Sequence, residues 1–155
     1  QARYEESGVQ VRFVQDNVSY SSRGVLRGLH YQLPGGQGKL VTVLQGEIYD
    51  VAVDIRKSSK QFGQWVGAHL SSDNNHQLWV PEGFAHGFCV LSDKALVTYK
   101  CTALYAPQNE HCVLWNDPDI GITWPLKEGL ELSAKDQKGR QLKDIPADQL
   151  PSTRA

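Results

Sequence analysis

Hydrophobic and polar residues alternate over short stretches of this chain, and long helical patterns are nearly absent. Residues 39–55 predict two strands joined at Gln45–Gly46, where glycine can supply the positive φ of a tight hairpin turn. Further strands are predicted at 11–15, 24–31, 64–70, 77–80, 84–91, 95–102 and around 111–115. Beyond residue 126 the sequence becomes polar and poor in strand patterns, which favours short helices or loops. The pattern predicts one all-β domain over residues 1–155, built as a sandwich, jelly roll or closed barrel.

The strand after the Gln45–Gly46 turn carries charged residues among aliphatic ones. Period-two alternation places Tyr49, Val51, Val53 and Ile55 on one face and Ile48, Asp50, Ala52 and Asp54 on the other. In an isolated strand, Asp50 would more often face solvent than a cavity. His30, His86 and Tyr99 also lie within apolar stretches, however, and four such groups together favour a barrel cavity with a polar lining.

Charge and composition exclude several classes of function. The net charge of the 155 residues is −1, with acidic and basic residues interspersed, so no basic surface for nucleic acid is predicted. No apolar run approaches the roughly 18 residues of a membrane span, and no segment resembles a secretory leader. Three cysteines without CxxC spacing favour reduced, mostly buried thiols in a cytoplasmic protein.

The densest cluster of polar side chains is RGVLRGLHYQ, residues 23–32. Regular alternation would put Arg27 and His30 on opposite faces, whereas an irregularity at Gly28 would bring them together. Histidine suits a general base because its ordinary pKa lies near neutrality. The alternative is a core histidine satisfied by one hydrogen bond.

A second cluster is VPEGFAHGF, residues 80–88, in which the spacing Pro-x-Gly-x-x-His matches half of the cupin signature of small jelly-roll barrels. The other half of that signature supplies two histidines and a glutamate as metal ligands. Here the corresponding stretch reads His30–Tyr31–Gln32, followed by Lys39 where an acidic ligand would be sought. A cationic lysine is a poor ligand, so the sequence predicts a barrel that has no metal.

The lysine suggests a chemistry of its own. Removing a proton next to a ketone creates an enolate, and an ammonium in a dry cavity can stabilise its oxygen as a metal would. Lys39 is the candidate for this role, although a lysine that begins a strand is usually solvated. Returning a proton on the opposite face needs an acid, for which Tyr99 is suitable, although most strand tyrosines only pack.

Seven blocks of the chain resemble the dTDP-4-dehydrorhamnose 3,5-epimerase family. They are DN-x-S-x-S (16–21), RGLHYQ (27–32), QGKLV (37–41), DVAVDIR (50–56), PEGFAHGF (81–88), YKCT (99–102) and LSAKD (132–136). The resemblance implies a cupin-type jelly-roll barrel with short C-terminal helices. It also implies a homodimer, no metal or cofactor, and a dTDP-4-keto-6-deoxyhexose substrate.

The same resemblance assigns roles to residues. It makes His30 the general base with Asp136 as its hydrogen-bonded partner, Tyr99 the general acid and Lys39 the stabiliser of the enolate. Substrate binding would fall to Gln15, Asn17, Arg27, Asp50, His86, Tyr105 and Lys135. Family members usually carry a longer amino-terminal region whose strand crosses to the partner subunit, and the sequence is expected to lack this strand. Without this amino-terminal strand, substrate affinity and formation of the dimer are in question.

Three alternatives remain open from the sequence. An enzyme on this scaffold can epimerise one carbon only, and the motifs do not separate one from two. A metal-dependent cupin would bind iron, zinc or manganese. A sugar-nucleotide-binding barrel without turnover would keep the pocket, but binding alone does not require the combination of His30, Tyr99, Lys39 and Asp136.

Overall fold

The structure, a computed structural model, describes residues 2–152 and consists mainly of β-strands. Within this range the strands are β1 Gln15–Ser22, β2 Leu26–Gln32, β3 Lys39–Gln45, β4 Glu47–Asp54, β5 Trp65–Ser71, β6 Gln77–Val80, β7 Phe84–Val90, β8 Lys94–Cys101 and β9 Glu110–Cys112. The helices are α1 Ala2–Glu6, α2 Ala134–Gln137 and the 3-10 helices Pro107–Asn109, Leu142–Asp144 and Ala147–Gln149. None of the helices in the described range is long and apolar enough to span a membrane.

The strands form two antiparallel sheets. The four-stranded sheet has the order β1-β8-β3-β6, and the five-stranded sheet has the order β5-β4-β7-β2-β9. Consecutive strands such as β7 and β8 belong to different sheets, so the chain passes repeatedly from one sheet to the other. The all-β jelly roll with short C-terminal helices, as expected from the sequence, is confirmed.

Two hydrophobic cores hold this arrangement together. One lies between the sheets and contains Val41, Val43, Ile48, Leu70, Phe88, Val90, Ala95 and Val97. The other covers the outer face of the five-stranded sheet, where Leu29, Val51 and Val53 pack with Trp124, Leu142, Ile145 and Leu150 of the C-terminal segment. That segment therefore closes one face of the sheet that carries His30 and His86.

Two glycines have backbone conformations or close contacts that a side chain would not permit. Gly46 has φ +79°, and a Cβ there would lie 2.1 Å from the carbonyl oxygen of Lys94. Gly28 has φ +112°, and a Cβ there would lie 2.6 Å from the Cα of Gly87. The β2–β7 register shifts between Arg27 and His30, so of the two alternatives for this segment the irregularity near Gly28 is the one observed.

One predicted strand is wrong and another is displaced. The segment 11–15 was expected to be a strand, but the strand is β1 Gln15–Ser22. Its apolar residues Val18 and Tyr20 are 70% and 60% exposed, whereas Ser21 is buried. Hydrophobic periodicity misses such a strand because its apolar side chains face outward. The strand expected around 111–115 is β9 Glu110–Cys112, followed by an isolated bridge from Val113 to Arg140.

Candidate active site

A cavity of about 560 Å³ lies between the two sheets and is lined by side chains from both. Nine of the predicted site residues line it: Asn17, Arg27, His30, Lys39, His86, Tyr99, Tyr105, Lys135 and Asp136. The five-stranded sheet supplies the two histidines, the four-stranded sheet supplies the lysine and Tyr99, and α2 supplies Lys135 and Asp136. Residues distant in sequence thus converge on one cavity.

His30 and Asp136 form a hydrogen-bonded pair on one wall of the cavity. The His30 Nε2 lies 2.5 Å from the Asp136 Oδ1, which also accepts a hydrogen bond of 3.3 Å from the Gly28 backbone N–H. The Ser133 hydroxyl, at the N-cap of α2, donates to the Asp136 Oδ2 at 2.7 Å. Burial pushes the pKa of Asp136 upward, but hydrogen bonds from His30 and Ser133 hold it below the ordinary value. An ionised carboxylate therefore fixes the imidazole and stabilises its protonated form.

The free ring nitrogen of His30 faces a carboxylate that the sequence analysis missed. Glu110 Oε1 lies 3.8 Å from His30 Nδ1, and Glu110 Oε2 accepts a hydrogen bond of 3.0 Å from the Tyr105 hydroxyl and forms an ion pair with Lys135. Burial raises the pKa of Glu110, but Lys135 and the charge of His30 bring it below the ordinary value. Glu110 therefore places a carboxylate beside the second ring nitrogen of His30 and connects it to Tyr105 and Lys135.

A second imidazole–carboxylate pair lies next to the first. His86 is opposite His30 in the β2–β7 ladder, and its Nε2 lies 2.6 Å from Asp50 Oδ1. Asp50 is completely buried, so the solvent-facing alternative for this residue is wrong. It stands behind His86 and does not line the cavity itself. The other carboxylate oxygen, Oδ2, has no hydrogen-bond partner within residues 2–152.

Lys39 and Tyr99 occupy the four-stranded sheet, on the opposite wall from His30. Burial lowers the pKa of Lys39, and the nearby Cys101, Glu110 and Asp50 partly oppose that shift. Burial raises the pKa of Tyr99, so its phenol keeps the proton at neutral pH. The cavity therefore holds a base on one side and a proton donor and a cationic group on the other.

Arg27 and Asn17 line the rim of the cavity, whereas Gln15 supports it from outside. Arg27 donates a hydrogen bond of 3.2 Å from Nη2 to Ser21 Oγ, and Asn17 Nδ2 donates to Cys101 Sγ at 3.3 Å. Gln15 does not line the cavity. The Gln15 Nε2 donates a hydrogen bond of 2.9 Å to Asn17 Oδ1, and the Gln15 Oε1 accepts one of 2.8 Å from the Tyr105 backbone N–H. Gln15 therefore holds in place two residues that line the cavity.

The family model for dTDP-4-dehydrorhamnose 3,5-epimerase matches residues 1–144. The chain belongs to this family. The enzyme of that name from Methanothermobacter thermautotrophicus is 53% identical over 148 residues, which are 94% of this chain and 80% of the relative.

Solved structures of sugar-nucleotide epimerases have the same fold as this chain. A crystal structure of dTDP-6-deoxy-D-glucose-3,5-epimerase from Legionella pneumophila, in complex with dTDP-4-keto-L-rhamnose, is 55% identical with a TM-score of 0.96, covering 99% of this chain and 82% of that one. ChmJ, a 3'-monoepimerase from Streptomyces bikiniensis in complex with dTDP-quinovose, is 35% identical with a TM-score of 0.87, covering 97% and 77%. The likeness therefore extends over nearly the whole chain.

Proposed function

We propose that this member of the epimerase family inverts C3 and C5 of dTDP-4-dehydro-6-deoxy-D-glucose to give dTDP-4-dehydro-L-rhamnose. The observation that carries the proposal is one cavity that holds the His30–Asp136 pair, Tyr99 and Lys39 together. Epimerisation next to a ketone needs these three functions: a base, an acid on the opposite face and a charge that stabilises the enolate.

The residues divide the reaction between two walls of the cavity. His30 Nδ1 takes the proton from the carbon beside the ketone, while Asp136 stabilises the imidazolium through Nε2. The electron pair of the broken C–H bond moves into the enolate, whose oxygen Lys39 stabilises. Tyr99 then delivers its phenolic proton to the opposite face of the same carbon. Since C3 and C5 both flank the C4 ketone, one set of groups can serve each in turn.

The rim of the cavity fits the nucleotide part of the substrate. Arg27, with a forked donor suited to phosphate oxygens, would hold the diphosphate together with Asn17 and Lys135, while Gln15 positions Asn17. Tyr105 offers a half-exposed aromatic face for the base. The buried His86–Asp50 pair would contact the sugar through His86. Lys39 supplies the positive charge that a metal provides in other cupins, so the proposal includes no metal or cofactor.

Proton NMR of the product formed in deuterated water tests the proposal. Deuterium is expected at both C3 and C5, because each carbon is deprotonated and then reprotonated by groups that exchange with solvent. Label at one carbon only would establish a single-carbon epimerase, and no label with intact dTDP binding would establish a binding protein without turnover. Activity that disappears after chelation and returns with iron, zinc or manganese would favour a metal-dependent cupin.

We further propose that residues 1–155 act as one cytoplasmic domain that forms a homodimer. Both sheets contribute to one cavity, which supports a single catalytic unit. The outer face of the four-stranded sheet exposes Val18, Tyr20 and Leu44, the kind of apolar patch that an identical subunit can cover. Light scattering coupled to gel filtration should give twice the chain mass of 17.3 kDa. A monomer at micromolar concentration would contradict the dimer.

A further inference from the structure

We propose that His30, Cys112 and Asp136 form a binding site for zinc, and that a zinc ion bound there inhibits the enzyme. Nothing in the proposed epimerisation uses Cys112. The inhibition rests on the proposed role of His30 as the base, whereas the binding of the metal does not.

The three side chains come from separate elements and meet at one point. Cys112 of β9 is directly opposite His30 of β2 in the antiparallel ladder, and Asp136 approaches from α2. One donor atom from each residue lies within 4.8 Å of the other two. A tetrahedral zinc ion with ordinary bond lengths separates its nitrogen, sulfur and oxygen ligands by about 3.3–3.6 Å. The distance of 2.5 Å between His30 Nε2 and Asp136 Oδ1 is shorter than this range, and the Cys112 sulfur lies within 4.8 Å of the donor atoms of both residues, so shifts of about an ångström would seat the ion.

The donor set matches the chemistry of zinc. The ion accepts imidazole nitrogen, thiolate sulfur and carboxylate oxygen, and three protein ligands leave a fourth position for water. A thiolate and a carboxylate together balance the charge of the ion, which matters in a partly buried site. Burial raises the pKa of Cys112 to about 12, so the thiol keeps its proton in the metal-free enzyme. Binding would release that proton to solvent.

The surroundings already contain groups that would hold such ligands in place. The Gly28 backbone N–H and the Ser133 hydroxyl donate to Asp136, and hydrogen bonds of this kind orient metal-bound carboxylates. Glu110 Oε1 lies 3.8 Å from His30 Nδ1 and can accept a hydrogen bond from this nitrogen when it carries the ring proton. A metal on Nε2 would move the ring proton to Nδ1. The nitrogen that serves as base would then have no free electron pair, and deprotonation of the substrate would stop.

Cobalt(II) is the probe for binding, because its complexes with thiolate absorb in the near ultraviolet. Wild-type protein titrated with Co²⁺ should show this band with one metal per chain, and Zn²⁺ should remove it by competition. Cys112→Ser should lose the band, while the control Cys101→Ser, which changes a buried thiol on the other sheet, should keep it. A band that survives in Cys112→Ser, or none in the wild type, would overturn the site.

Enzyme activity supplies the second measurement. Zn²⁺ should inhibit deuterium exchange in the wild type, reversibly on chelation, and at least about tenfold to a hundredfold more zinc should be needed for Cys112→Ser, since even the loss of a partner that only orients a ligand costs that much affinity. If the same zinc concentration inhibits wild type and Cys112→Ser equally, the proposed inhibition through Cys112 is overturned. Wild type that shows the cobalt band and keeps full activity would support the metal site but reject His30 as the base, so the two proposals fail in different ways.

Discussion

Replacing His30 with alanine is expected to abolish exchange of the substrate's C3 and C5 protons with solvent deuterium. General base catalysis contributes about 10²–10⁴ in rate, so exchange should fall by at least that factor. Binding of dTDP should change little, because Arg27, Asn17 and Tyr105 stand at the rim and do not contact the imidazole through any hydrogen bond found within residues 2–152. NMR in deuterated water measures the exchange, and calorimetric titration with dTDP measures the binding.

The matched control is Tyr99→Phe, which removes the proposed acid and leaves the base. This variant should turn over slowly yet retain deuterium exchange at one carbon at least, because His30 still deprotonates the substrate, exchanges its proton with solvent and can return a deuteron to the same face. Equal loss of exchange in both variants would contradict the proposed division of labour. Exchange that persists in His30→Ala would exclude this residue as the base.

Most of the fold follows from local pattern. The strand β6 Gln77–Val80 was predicted with its observed bounds, and the hairpin across Gln45–Gly46 was predicted to within one residue, because apolar and polar residues alternate there and turn residues bound the strands. The strand β1 was misplaced because its apolar Val18 and Tyr20 face outward and its inward residues are polar. Hydrophobic periodicity predicts a strand from the apolar residues on its buried face. A strand whose apolar residues face outward and whose polar residues face inward therefore cannot be placed in this way.

The site was predictable only in part. Arg27, His30 and Gly28 share one strand, so their cooperation could be inferred from a single irregularity in its alternation. Asp136 lies 106 positions from His30, and only the family resemblance paired them. Glu110 was missed because a glutamate after Pro-Gln-Asn has the appearance of a solvated loop residue. Its place beside His30 depends on β9 pairing with β2, which no local pattern reveals.

The charge of Lys39 should favour catalysis but lower the stability of the fold. Its ammonium belongs to a half-buried side chain that lines the cavity, where burial lowers its pKa. A lysine whose pKa is lower in the folded state than in the unfolded chain reduces stability at neutral pH, and that cost fades as the pH rises toward the ordinary value of 10.5. The same desolvation strengthens the attraction between the ammonium and an enolate oxygen.

Lys39→Met should therefore slow epimerisation sharply without weakening the fold. Loss of one group that stabilises an oxyanion costs about 10²–10³ in kcat, and a decrease of this size is expected for exchange at both C3 and C5. The melting temperature at pH 7 should stay equal or rise, because a buried charge is replaced by an apolar side chain of similar length. Any rise should shrink as the pH approaches 10.5, where the cost of the buried charge fades.

Lys100→Met is the control for this change, because Lys100 lies on the neighbouring strand and forms an exposed ion pair of 2.9 Å with Asp16. It should leave kcat and the melting temperature nearly unchanged.

Wild-type activity should fall at alkaline pH with a midpoint below 10.5, since the pKa of Lys39 is lowered whereas that of Tyr99 is raised. Lys39→Met should lack this decline. Full activity in Lys39→Met would show that the enolate is stabilised by another group, and a large fall in melting temperature would mean that the ammonium serves the fold.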